Sequence, residues 1–110
     1  AFLNASPTPF HAVEAAAEHR IRANALFKSG DYKEALAECN RGLEAKPEDQ
    51  SLWVLKGKTA FELGDFPTAR DAYSHALSFG EGQWPSGVER GTLLVLRVTL
   101  HEVIGAELAP

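Results

Sequence analysis

The chain has 110 residues, 45% hydrophobic and 24% charged, with 11 Lys or Arg against 15 Asp or Glu for a net charge of −4. That length suits about one small domain with a real core, and these proportions lie near globular averages, which argues against wholesale disorder and against a membrane-embedded chain. Charge is spread evenly, with six basic and eight acidic side chains in residues 1–50 and five and seven in 51–110, so no basic footprint invites nucleic acid.

The first ten residues, AFLNASPTPF, lack a basic n-region and a long apolar stretch, and no apolar run approaches the roughly 20 residues needed to cross a bilayer. No export signal or membrane span is expected, and the lone Cys39, which has no partner for an internal disulfide, fits a reducing compartment, the cytoplasm. Thr8 as N-cap and Pro9 at N1 open an alanine-rich segment of high helix propensity, so a first helix is predicted from about Pro9 to Ser29. Ile21, Ala23, Leu26 and Phe27 supply its apolar stripe. Gly30 suits the position after a helix end, where a residue without Cβ enters the left-handed region cheaply. Asp31 then stands as N-cap of a second helix with Glu34 in capping-box register, and Pro47 closes that helix.

The pattern returns. Leu52, Leu55, Ala60 and Phe61 form a stripe that ends at Gly64; Asp65 can cap, and Pro67 falls in a first helical turn. Gly30 and Gly64 are 34 residues apart, and the same offset pairs Phe27 with Phe61, Asp31 with Asp65, Tyr32 with Phe66, Ala35 with Ala69 and Leu43 with Leu77. Each copy reads as an αα-hairpin with an apolar face it cannot cover alone, and stable arrays need about three units or a capping helix. After a glycine-rich break at 80–87, Val88, Thr92, Val95, Leu96, Thr99, Leu100, Val103, Ile104 and Leu108 recur at helical spacing, which predicts that cover. The alternation of Leu96, Val98 and Leu100 with Arg97, Thr99 and His101 is also strand grammar, similar to the closing strand of immunophilin-type prolyl isomerases; helix is preferred because a lone strand leaves its backbone unpaired.

Over residues 16 to 83 the chain resembles the tetratricopeptide repeat family. Trp53 and Gly57 match its helix A packing positions in copy two, and Ala35 with Gly42 and Ala69 with Ala76 match its small helix B positions; His19 replaces the large apolar residue of copy one, and Cys39 stands where Tyr73 stands. The resemblance implies an all-α fold of tandem antiparallel helix pairs in a single domain, with an N-terminal extension at 1–15, repeat one at 16–49, repeat two at 50–83, and a capping helix or partial third repeat at 84–110. Residues 2–18 separately resemble the start of the aspartyl aminopeptidases, but none of that family's metal or catalytic motifs is present.

No residue is expected to be catalytic, and neither a metal nor a cofactor is expected. His11, Glu14 and Glu18 share a helical face but read as solvated, and Cys39 reads as a buried inert thiol. The resemblance implies a non-catalytic interaction module binding a peptide along the concave side of its A helices. In members that hold chaperone C-terminal tails, a Lys or Arg and an Asn four residues later form half of a carboxylate clamp, and Arg20 and Asn24 match; Lys28 continues their face, Lys58 is the cation of copy two, and Leu55 replaces a second Asn. Phe27, Leu55 and Phe61 are expected as an apolar floor, while Arg90 and Arg97 are further available cations. The alternatives are homodimerisation through the apolar helix carrying Leu93, Leu94, Val95, Leu96 and Val98, and a fragment of a larger peptidase or prolyl isomerase.

Overall fold

A computed structural model describes residues 9–79 and 90–108. Among these it has α1 (Pro9–Lys28), α2 (Tyr32–Ala45), α3 (Gln50–Glu62), α4 (Phe66–Ser78) and α5 (Arg90–Leu108), and no strand. The expected Thr8 cap, the 80–87 break and Val88 lie outside the described residues, as do the side chains of Arg90, Thr92, Leu93 and Leu94.

Both hairpins turn by the same device. Gly30 has φ 84° and Gly64 φ 78°. In the first turn Asp31 N–H reaches Leu26 O at 2.9 Å and Gly30 N–H reaches Phe27 O at 3.1 Å; in the second, Asp65 N–H reaches Ala60 O at 2.9 Å and Gly64 N–H reaches Phe61 O at 3.0 Å. These are paired Schellman closures, satisfying carbonyls that a helix end would otherwise orphan. The caps after them differ. Asp65 Oδ1 accepts from Thr68 N–H at 3.3 Å. Asp31 holds the equivalent position without capping through its side chain, and its carboxylate instead accepts from Ser29 Oγ at 3.4 Å, so the expected Asp31 cap is a position and not a side-chain bond. Asp49 caps α3, accepting from Leu52 N–H at 3.1 Å.

α1 packs on α2, α3 on α4, α2 on α3 and α4 on α5, giving an elongated body of 57 × 31 × 22 Å. Neither hairpin closes its own core. The first cluster joins Ala16, Ala23, Cys39 and Leu43 to Leu52 and Leu55 of the second unit; the next joins Ala60, Ala69, Tyr73 and Ala76 to Leu96 and Val103 of α5, and Trp53 touches both. Close approach depends on small residues. A Cβ on Gly42 would lie 2.6 Å from Leu52 Cδ1, and one on Gly57 would lie 2.8 Å from Tyr73 Cε1.

α5 is helical, as its spacing predicts. Leu96 and Val103 are buried against the second core and Leu100 packs beside them, while Val95, Val98, Ile104 and Leu108 are exposed. Counting 34 residues on from Gly64 reaches Val98. Without a glycine there the chain has no cheap left-handed turn, and the helix runs on to Leu108.

Candidate peptide-binding groove

A groove of about 380 Å³ opens between α1, α3 and α5, lined by Phe27, Val54, Lys58, Phe61, Glu62, Tyr73, Val95, Leu96 and Thr99. Phe27, Phe61 and Val95 follow one another at intervals of 34 residues, so the period that repeats the turns also aligns the groove's apolar lining. Each aromatic is braced from across its turn. Phe27 meets Tyr32 edge-on with ring centroids 5.3 Å apart, and Phe61 meets Phe66 at 5.5 Å. Such pairs stabilise beyond their buried area and hold the rings in place. Lys58 Nζ lies 5.5 Å from the Phe27 centroid, a cation–π geometry that fixes the ammonium at the groove.

The structure separates the expected site residues. Lys58 lines the groove. Asn24 and Lys28 are exposed on α1, one turn apart. Arg20 is engaged elsewhere: its Nη1 donates to Asp49 Oδ2 at 3.0 Å, with the Asp49 side chain only 8% exposed. Asp49 thereby caps α3 with one oxygen and ties α1 to that helix with the other. Leu55 is 5% exposed in the first core, and its neighbour Val54 lines the groove. Arg97 lies with Leu100, His101 and Ile104 along a separate depression of about 280 Å³. Val54, Glu62, Tyr73, Val95, Leu96 and Thr99 are lining residues beyond the expected set; the 34-residue offset from Phe61 was the signal available for Val95.

His19 and Cys39, the departures of copy one, are absorbed by the fold. His19 Nδ1 donates to Glu38 Oε2 at 2.6 Å, and Arg41 Nη1 donates to Glu38 Oε1 at 2.6 Å. The His19 hydrogen bond, helped by Arg41, holds the Glu38 carboxyl below its ordinary range despite desolvation. Burial pushes the Cys39 thiol up to about 12, which suppresses the thiolate at neutral pH. Burial, then the charges of Glu62 and Glu102, raise the Tyr73 phenol. Among the described residues, no group of three or more His, Cys, Asp or Glu could hold a metal ion, and no helix is long and apolar enough to cross a membrane.

A two-hairpin solenoid with a concave groove along its first helices defines a helical-repeat interaction module. Residues 16–59 match the family model described as Tetratricopeptide repeat; the all-α arrangement of helix pairs is consistent with such repeats, which indicate a protein–protein interaction module. Over 61 residues it is 34% identical to "Protein SGT1 homolog" of Oryza sativa subsp. japonica, an alignment covering 56% of this chain and 17% of that protein. The chain therefore spans a small part of the length of that relative. No solved structure matches it.

Proposed function

We propose that the chain is a non-catalytic binding module, one domain of two repeats covered by α5, which takes a peptide segment of a partner protein in the groove between α1, α3 and α5. The observation that carries this reading is the groove itself, with its apolar lining of Phe27, Val54, Phe61 and Val95 and an ammonium, Lys58, beside it. A cleft this size falls at the small end of ligand sites, room for a few side chains rather than a folded domain. Acidic groups on the peptide meet Lys58, Lys28 and Asn24. Cytoplasmic action in a reducing compartment agrees with the single buried thiol.

A chaperone-type C-terminal tail is the narrower version of this reading. It requires Arg20 to exchange Asp49 for a ligand carboxylate beside Asn24. Titration of acidic C-terminal peptides into the protein and into an Arg20→Ala, Asn24→Ala double variant tests it: much weaker binding by the variant supports the grip, and equal binding rejects it.

A second reading, homodimerisation, is favoured by α5, whose Val98 is 50% and Leu108 80% exposed. Sedimentation over a range of concentrations decides it, and a monomer throughout removes it.

A further inference from the structure

The groove is poorly equipped to hold a chain end. Gripping a terminal carboxylate takes several converging donors, and the positions expected to supply them are committed within the fold. The Arg20 guanidinium is bonded to Asp49, and Leu55 offers no donor and is buried. A largely apolar cavity with one ammonium, Lys58, and one carboxylate, Glu62, remains. Val95 is 62% exposed on the cavity wall, apolar surface left open inside a concavity, which marks a contact site more than the same area on a convex face. Among the described residues no carboxylate lies within ion-pair distance of Lys58; its nearest recorded partner is the Phe27 ring. Lys28, next in sequence to Phe27, is exposed and likewise has no ion pair among the described residues. Lys58 of α3, held over Phe27, and Lys28 of α1 thus make the edge of the groove nearest α1 positive, Glu62 lies one turn further along α3, and the floor is apolar.

Resting on the groove-binding reading above, we infer that the groove selects an internal segment of its partner, in which a bulky apolar side chain enters between Phe61 and Val95 and an acidic side chain pairs with Lys58, and that it makes no use of a free C-terminus. The apolar anchor supplies most of the affinity because it leaves water entirely. The acidic neighbour sets register and salt dependence, since a rim charge contributes modestly to binding strength.

Calorimetric titration of the full chain tests this with a peptide carrying one central phenylalanine flanked by glutamates, acetylated at its N-terminus and amidated at its C-terminus. Controls are the same peptide with a free C-terminal acid, one with the phenylalanine replaced by alanine, and one with the glutamates replaced by lysines. The blocked and free-acid peptides should bind equally, and both substituted peptides should bind much more weakly. On the protein side, Lys58→Glu should weaken the blocked peptide about three- to tenfold and Val95→Asp about tenfold. Both positions are exposed, so circular dichroism should show an intact fold. Lys33→Glu, an exposed reversal on α2 outside the lining, should leave binding unchanged. Binding confined to the free-acid peptide overturns the inference while leaving groove binding in place. Binding of neither overturns both. Binding of the blocked peptide that ignores Lys58→Glu and Val95→Asp also overturns both, because the segment then sits elsewhere.

Discussion

Replacing Gly57 with alanine sets two effects of opposite sign against each other, and the structure decides between them. In an exposed helix interior the change stabilises by about 1 kcal/mol, because alanine has less backbone entropy to lose. At Gly57 the new Cβ would lie 2.8, 2.9 and 3.0 Å from Cε1, Cδ1 and Cζ of Tyr73. That ring is 2% exposed and packed in the core shared with Leu96 and Val103, so although it borders the groove it shifts only by disturbing that core. Overpacking of this kind costs about 1–3 kcal/mol, and three ring atoms in close contact put it in the upper part of that range. After the propensity gain the net loss is about 1–2 kcal/mol, lowering the melting midpoint by about 5–15 °C for a domain of this size. Thermal and urea denaturation followed by circular dichroism measure it. Gly105→Ala is the internal control: a Cβ there meets nothing within 4 Å, so that variant should be as stable as the parent or more so. If Gly57→Ala matches or exceeds the parent, helix propensity has outweighed the contact, and the account of helix packing through small residues fails.

Gly64→Ala should lose about 1–2 kcal/mol by forcing a side chain into the left-handed region at φ 78°, visible as a lower urea midpoint. Asp49→Ala should be the more damaging half of its ion pair, losing about 1–2 kcal/mol with the α3 cap, whereas Arg20→Ala removes a partly exposed partner and should lose under about 1 kcal/mol; the reverse order in denaturation midpoints would contradict the capping role. Because the folded Glu38 carboxyl is held below its unfolded value of 4.5, its contribution to stability is complete above that pH and is lost as pH falls below it; Glu38→Gln should therefore flatten the acid limb of stability against pH, and an unchanged limb refutes the pairing. Cys39, with its thiol pushed up to about 12, should resist thiol reagents in the native protein at neutral pH and react once denatured, so rapid native labelling would contradict its burial.

What the sequence disclosed were features written locally or periodically. The turns at Gly30 and Gly64 were legible because a left-handed residue has few alternatives to glycine, and the hairpins followed from the 34-residue offset. Long-range polar pairings were not legible. Arg20 and Asp49 are 29 residues apart, and no spacing rule links a mid-helix arginine to the cap of a later helix. His19 with Glu38, 19 residues apart, is similar: in the sequence His19 was only a departure from the apolar packing position, while the fold supplied a carboxylate across the hairpin. Leu55 shows the limit of facial reasoning. One residue along a helix is a rotation of about 100°, enough to put Val54 on the groove and Leu55 in the core when the helix's tilt against its neighbours is unknown. The helix and strand readings of α5 could not be separated by its pattern alone, since β-branched residues serve both. Backbone satisfaction favoured the helix, and packing of Leu96, Leu100 and Val103 on the second core agrees.

One register builds both core and groove, which explains why α5 belongs to each. In both repeats a groove aromatic is followed three positions later by a turn glycine: Phe27 and Gly30, then Phe61 and Gly64, with the buried Ala60 just before Phe61. At the third step the chain offers Val95 and Val98. Valine at 95 keeps the lining apolar but smaller, leaving the space that α5 opens beside Phe61. Valine at 98 removes the turn, so the helix extends far enough for Val103, seven residues beyond Leu96, to close the second core. With valine rather than glycine at that position, α5 runs on over the second hairpin. The same helix carries Val95 and Thr99 into the groove wall, so one helix both covers the second core and shapes the candidate groove.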